Sequence, residues 1–337
     1  MNMMTPEAIS RAYNNRLRVP NFQDILALWD ERSLKARRAL DARGLGHWNL
    51  RYGPRPLNTL DLVQPAPSAR EGRGLAGLGR VSGAGRSNRS SNGAPILFFI
   101  HGGYWRMLDK SAQTFIAPRL SQRGAMVVIP NYSLAPVVSL EDISLEIAQA
   151  LAWVWAHAHR WGGDRERIVV AGHSAGGHLT GMALSCQAQL LGRAMGWGPT
   201  QTEGRRSGPS PQLHSEAQLP PSFSTRGVAI SGLFDLAPLV HCEWLMPDIR
   251  LTPESIQRLS PARWAAPKGC RLVAVAGEDE SDEFHRQNRL IQQAWGRRAV
   301  PVVETLAGRN HFDVLLDLED DNSRLSQLVD EALGYRN

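Results

Sequence analysis

The 337-residue sequence predicts an α/β protein: a mostly parallel central sheet, an antiparallel pair at its N-terminal edge, and helices on both faces. Three observations carry this prediction. Continuous apolar runs such as Pro95-Ile96-Leu97-Phe98-Phe99-Ile100 have no polar alternate face, which suits strands buried on both sides. Between such runs lie stretches with helical spacing, the longest formed by Leu140, Ile143, Ile147, Leu151, Val154 and Ala158. Strands alternating with amphipathic helices pack as a parallel sheet wrapped in helices.

In chain order, residues 1–45 read as a helical segment. Phe22, Ile25, Leu26 and Trp29 share one face behind Asn21 as cap, and the helix is expected near the entrance of a site or on the sheet. Trp48, Leu50 and Tyr52 then alternate with His47, Asn49 and Arg51. After Gly53-Pro54, Leu60 and Leu62 alternate with Thr59 and Asp61, so the two runs predict the antiparallel edge pair. Residues 66–93 carry seven glycines and five serines without periodicity and are expected to be a disordered insertion. A second buried strand at Ala125 to Ile129 ends in Pro130-Asn131-Tyr132. Ser139 and Asp142 form a capping box for the helix that follows, and Gly162 stops it. The chain returns through Ile168-Val169-Val170-Ala171. Residues 193–224 predict another insertion, followed by strands at Gly227 to Ile230, Arg271 to Ala276 and Val300 to Thr305 and a final helix from Phe312 to Leu333. The whole, 1–337, is expected to be one domain with insertions.

Composition narrows the function classes. With 42% hydrophobic residues the chain can bury a large core, and it contains no apolar run of signal-peptide or membrane-spanning length, so a soluble cytoplasmic protein is expected. Cys186, Cys242 and Cys270 are far apart and lack metal-ligand spacing, which predicts reduced thiols and no metal site. The net charge is +6, but residues 66–93 hold five arginines against Glu71, so +4 of it sits in one segment and no basic stripe points to nucleic acid.

The chemistry is expected around Gly172-His173-Ser174-Ala175-Gly176. A G-x-S-x-G run between a strand and a helix sets its serine on a sharp turn above the sheet. A hydroxyl is a poor nucleophile until a base takes its proton. Of ten histidines, His157, His159 and His178 fall in helices, His173 is inside the turn and expected to point away, His214 lies in the second insertion, and His241 and His285 lie in helical or loop surroundings. His311 alone directly follows the last strand, in a short loop with Gly308 and Asn310. A carboxylate must orient that imidazole. After Arg271 to Ala276 the candidates are Glu278, Asp279, Glu280 and Asp282; Glu280 is chosen and Asp279 kept as the alternative, while Asp235 reads as a structural loop residue. The order serine, acid, histidine is that of α/β-hydrolases. His101-Gly102-Gly103 follows a buried strand, and the amides of Gly102, Gly103 and Ala175 are candidates to receive the oxyanion of a carbonyl under attack.

These residues are similar to a known family. His101-Gly102-Gly103-Tyr104-Trp105, the elbow extended through Gly177-His178-Leu179, Ser231-Gly232-Leu233-Phe234-Asp235-Leu236 and Glu280-Ser281-Asp282-Glu283-Phe284-His285-Arg286-Gln287 resemble the arylformamidase (kynurenine formamidase) branch of the hormone-sensitive-lipase-like α/β-hydrolases. The resemblance implies an α/β-hydrolase fold and cofactor-free hydrolysis of N-formylkynurenine to kynurenine and formate, or of small aryl and acyl esters. It places Ser174, Glu280 and His311 at the triad positions and Gly102, Gly103 and Ala175 at the oxyanion hole. Two departures are the glutamate at 280, where aspartate is expected in many relatives, and the Arg/Gly-rich insertion. Tyr104 and Trp105 stand where they could line a substrate pocket, with Trp105 equally readable as core. The expected partner is a small ester or formamide, with no nucleic acid and no membrane. The rival readings are a general short-chain carboxylesterase and, from another class, a non-catalytic ligand-binding relative.

Overall fold

The structure, a computed structural model, describes residues 5–67, 93–185 and 224–335. The two expected insertions, 66–93 and 193–224, lie almost wholly outside the described residues, as does Cys186. The chain begins with three helices, α1 (Pro6–Tyr13), α2 (Asn15–Arg18) and α3 (Phe22–Asp41), before the edge strands β1 (Gly46–Arg51) and β2 (Thr59–Val63). Then come β3 (Ala94–Ile100), α4 (Ala117–Gln122), β4 (Met126–Pro130), α5 (Leu140–His157), β5 (Gly163–His173) and α6 (Ala175–Leu184). The last part holds β6 (Arg226–Ile230), α7 (Met246–Ile249), α8 (Pro253–Leu259), β7 (Arg271–Gly277), α9 (Asp282–Trp295), β8 (Val302–Leu306) and α10 (Arg324–Leu333).

The strands form an eight-stranded sheet in the order β1-β2-β4-β3-β5-β6-β7-β8. The β1–β2 and β2–β4 pairs are antiparallel and the remaining pairs are parallel. Both faces of the parallel part are covered, as its apolar runs require. In β3, Ile96, Phe98 and Ile100 pack with α5 and α6, while Leu97 and Phe99 pack with α3, α4 and α10. Each such side chain contributes roughly 1.5–3 kcal/mol by leaving water. The capping box of α5 is present, Ser139 accepting from the Asp142 amide and Asp142 from that of Ser139. A 3-10 turn, Ala158–Trp161, extends the helix to Gly162, which ends it in a left-handed conformation.

Three expectations need correction. Asn21 precedes α3, but its side chain makes no capping hydrogen bond. The alternation of β1 breaks at a register shift between His47 and Leu50, where Asn49 takes a φ of 57°. Trp48 therefore packs on one face of the sheet and Leu50 and Tyr52 on the other. The final helix does not run from Phe312 to Leu333: Asp313–Glu319 is a 3-10 turn and α10 begins only at Arg324. Between them, the Asp320 and Ser323 side chains accept from nearby backbone amides and set a turn and a new N-cap.

Candidate active site

Every parallel strand contributes a loop to the same edge of the sheet, where such folds collect their reactive groups. The strand order fixes the sequence of loops across that edge. The loop after β3 (101–105) adjoins the turn after β5 (Ser174), followed by the loops after β6 (Ser231), β7 (Glu280) and β8 (His311).

Ser174 has φ 57° and ψ −116°, a conformation that costs a non-glycine residue on the order of 1–3 kcal/mol. The turn is imposed by its surroundings. The Ser174 amide donates to the Ile230 carbonyl of β6 at 2.8 Å, and α6 begins immediately after it. A Cβ added at Gly172 would lie 2.3 Å from the Gly176 carbonyl oxygen, and one at Gly176 would lie 2.0 Å from that of Ile100. Only glycine permits this approach of strand, turn and helix.

Ser174, His311 and Glu280 meet. His311 Nε2 lies 3.0 Å from Ser174 Oγ, and His311 Nδ1 lies 2.6 Å from Glu280 Oε2. A carboxylate only accepts, so Nδ1 carries the proton and Nε2 is free to accept from the serine hydroxyl. All three residues are 4% exposed, which keeps bulk water from weakening these contacts. The other oxygen, Glu280 Oε1, accepts from Ser231 Oγ at 2.5 Å and from the Gly277 amide at 2.8 Å. Asp279, the alternative acid, is exposed; its backbone rather than its side chain joins the site, the amide donating to the Arg309 carbonyl. Arg18 of α2 clamps this loop by donating to the carbonyls of Asp279 and Glu280.

His173 does not point away. Its Nε2 donates to the His311 carbonyl at 2.8 Å and its ring packs 4.7 Å from that of His311. Burial first, and the neighbouring His311 second, hold it well below its ordinary pKa, so it is a neutral prop. Ser231, Arg18 and His173 are thus positioning residues that the sequence reading left without a role. For Ser231, its place directly after β6 was the available signal.

On the opposite flank, the amides of Gly102, Gly103 and Ala175 donate to no acceptor among the described residues. A Cβ on Gly102 would lie 3.2 Å from that of Ser174, so this loop abuts the elbow. Gly103, Tyr104 and Trp105 have φ of 107°, 54° and 59° in succession, and a Cβ on Gly103 would meet the Met107 carbonyl oxygen at 2.1 Å. The strained loop is held by its side chains: Tyr104 Oη donates to the Tyr13 carbonyl, and buried Trp105 donates through Nε1 to His178 Nδ1 at 3.2 Å.

Ser174 stands between two small clefts. One, of about 30 Å³, is walled by Arg16, Leu26, Trp29, Tyr104, Met107 and Phe312, among others. The other, of about 10 Å³, is walled by Tyr13, Tyr104, Trp105, Leu233, Leu245 and Phe284, among others. Tyr104 lines both, and Trp105 is at once core and wall. Among the described residues no cluster of His, Cys, Asp or Glu could hold a metal ion, and no helix is long and apolar enough to cross a membrane.

This fold and this serine–histidine–carboxylate alignment define a serine hydrolase of the esterase type on an α/β-hydrolase scaffold. Residues 86–201 match the family model described as BD-FAE. The kynurenine formamidase of Danio rerio is 26% identical over 73% of this chain and 75% of its own length. Esterase LipC of Mycobacterium tuberculosis is 35% identical over 29% of this chain and 25% of its own. A solved structure from Silicibacter sp., described provisionally as a thioesterase, superposes with a TM-score of 0.68 at 24% identity, covering 95% of this chain and 97% of that one. The chain thus resembles kynurenine formamidases over most of its length and esterases over a shorter stretch.

Proposed function

We propose that Ser174 is the nucleophile, His311 the general base and acid, and Glu280 the residue that orients it, acting on a small aryl formamide. The best candidate is N-formylkynurenine, released as kynurenine and formate without a cofactor. The observation that carries this reading is the unbroken relay from Ser174 Oγ through His311 to Glu280, at 3.0 and 2.6 Å, beside three uncommitted amides.

His311 Nε2 takes the hydroxyl proton as Oγ bonds to the formyl carbon. The carbonyl oxygen becomes an oxyanion facing the amides of Gly102, Gly103 and Ala175. As the C–N bond breaks, His311 returns the proton to the departing arylamine. Water then attacks the formyl-serine with His311 again as base, and formate leaves. The two clefts flank Ser174, the smaller offering a place for a formyl or similarly small acyl group and the other, walled by Trp29, Tyr104 and Phe312, a place for the aryl amine. Arg16 at its rim supplies a cation for a substrate carboxylate. The likeness to a kynurenine formamidase supports the formamide. The local likeness to an esterase supports a second reading as a short-chain carboxylesterase.

A fluorophosphonate probe is expected to label Ser174, and kcat/KM is expected to be highest for N-formylkynurenine, lower for p-nitrophenyl acetate and butyrate, and negligible for the octanoate. A Ser174→Ala protein is expected to lose about 10⁴-fold or more in kcat. Retained turnover by that variant would sink the reading, and a preference for butyrate over the formamide would select the esterase.

A further inference from the structure

We propose that Tyr132, buried behind the Gly102–Gly103 loop and out of reach of any substrate, is the residue that aims the two oxyanion amides. The inference rests on the reading of those amides given above.

The Tyr132 hydroxyl lies 3.0 Å from the His101 carbonyl oxygen and 3.2 Å from that of Gly102. These two carbonyls belong to the peptide groups whose nitrogens are those of Gly102 and Gly103. Among the described residues the single cis peptide is Ala135–Pro136, so both groups are trans. In a planar trans peptide the N–H points opposite the C=O. One hydroxyl that draws two successive carbonyls to the interior therefore turns two successive N–H groups outward, to the side where Ser174 stands. Glycine at 102 and 103 has little torsional preference of its own, so these donors add to the left-handed torsions at 103–105 in fixing the two peptides.

The hydroxyl is itself fixed. Tyr132 is fully buried, and its ring stacks on that of His101 with centroids 4.3 Å apart and planes 9° apart. His101 Nδ1 donates to the same Gly102 carbonyl at 2.8 Å, so that oxygen receives two donors. Burial lowers the His101 pKa to about 4, which keeps the ring neutral, and because a carbonyl only accepts, the contact with Gly102 puts its proton on Nδ1. Donation to a carbonyl also polarises its peptide, strengthening the N–H on the far side by about 10–30% per bond. Tyr132 is thus a positioning residue, acting through the backbone.

Tyr132→Phe keeps the stacked ring and removes the hydroxyl. The expected result is a kcat lowered about thirtyfold, less than the hundredfold or more for loss of a whole donor, with KM changed less than about twofold. Affinity for a boronic acid that forms a tetrahedral serine adduct is expected to fall in parallel with kcat. Tyr52→Phe is the matched control, since it removes a partly buried tyrosine hydroxyl that donates to the Asn131 carbonyl at 2.6 Å without touching the loop. It is expected to lower thermal stability comparably and leave kcat unchanged. His101→Phe supplies a second test should Tyr132→Phe not fold: it removes the other donor to Gly102 and is expected to lower kcat several-fold with the same KM pattern. Wild-type kcat and boronate affinity in both variants would overturn the proposal. Absence of fluorophosphonate labelling in the wild-type protein would instead overturn the serine mechanism beneath it.

Discussion

On the β7 and β8 side of Ser174 the proposed reactive groups are side chains, whereas on the β3 side they are backbone amides, and the two flanks are held by different means. Glu280 and His311 are locked by side-chain hydrogen bonds from Ser231 and His173 and by backbone contacts from Arg18 and Gly277. Gly102 and Gly103 present only N–H groups, so what matters there is the direction of each peptide. That direction is set by left-handed torsions at 103–105 and by donors reaching in from the core. The first flank should be sensitive to the chemistry of a side chain, the second to whether the backbone can adopt its conformation.

The largest effect expected from this contrast is at Glu280. Glu280→Gln preserves size but can present an N–H to His311 Nδ1 and favour the wrong tautomer, so kcat should fall by about 10³- to 10⁴-fold. Asp279→Asn, one residue away with an exposed side chain, should change kcat less than about twofold. Equal losses in steady-state kinetics would erase the distinction drawn between the two carboxylates. Next is Gly103→Ala, which adds one methyl group at φ 107° against the Met107 carbonyl. It should lower kcat about 100-fold while fluorophosphonate labelling of Ser174 persists at a reduced rate. Unchanged turnover would show that the left-handed loop is not needed. Ser231→Ala should cost about tenfold in kcat, because Glu280 Oε1 keeps only the Gly277 amide.

The smallest effect is on stability rather than rate. Burial lowers the pKa of His101 and of His178 from 6.5 to about 4, and that of His173 well below 6.5. In the unfolded chain these rings titrate near 6.5, so for His101 and His178 the unfolded state binds protons between pH 6.5 and about 4 that the folded state does not, and His173 adds to this on the acid side of 6.5. The contribution of His101 and His178 is complete above about pH 6.5 and is lost as pH falls through about 4, at roughly 1 kcal/mol per pH unit for each ring within that window. Urea denaturation should therefore show stability falling on acidification from pH 7 to 5. His178→Asn, on the amide flank, should flatten that slope; a slope unchanged by it would mean the ring is not held neutral.

The sequence made much of the β-strand framework readable, and also which residues would meet at the candidate site, because both rest on local patterns. Apolar runs marked β3 to β7, the elbow glycines marked Ser174, and the position of His311 after the last strand singled it out from ten histidines. Expectations that depended on long-range contacts did worse. His173 was expected to turn away, but its partner, the His311 carbonyl, is 138 positions distant. The bulge at Asn49 broke a clean alternation because Asp61 on the adjacent strand accepts from the Asn49 amide.

By itself, then, the order of residues determined which groups were available and on which strand ends they would stand, since periodicity and turn chemistry act over a few neighbours. Whether Glu280 or Asp279 faces His311, which way the Gly102 and Gly103 peptides point, and that Tyr132 stands behind them were decided only by the tertiary structure. A side chain's direction and a peptide's orientation depend on packing against segments far away along the chain, and no local pattern encodes that.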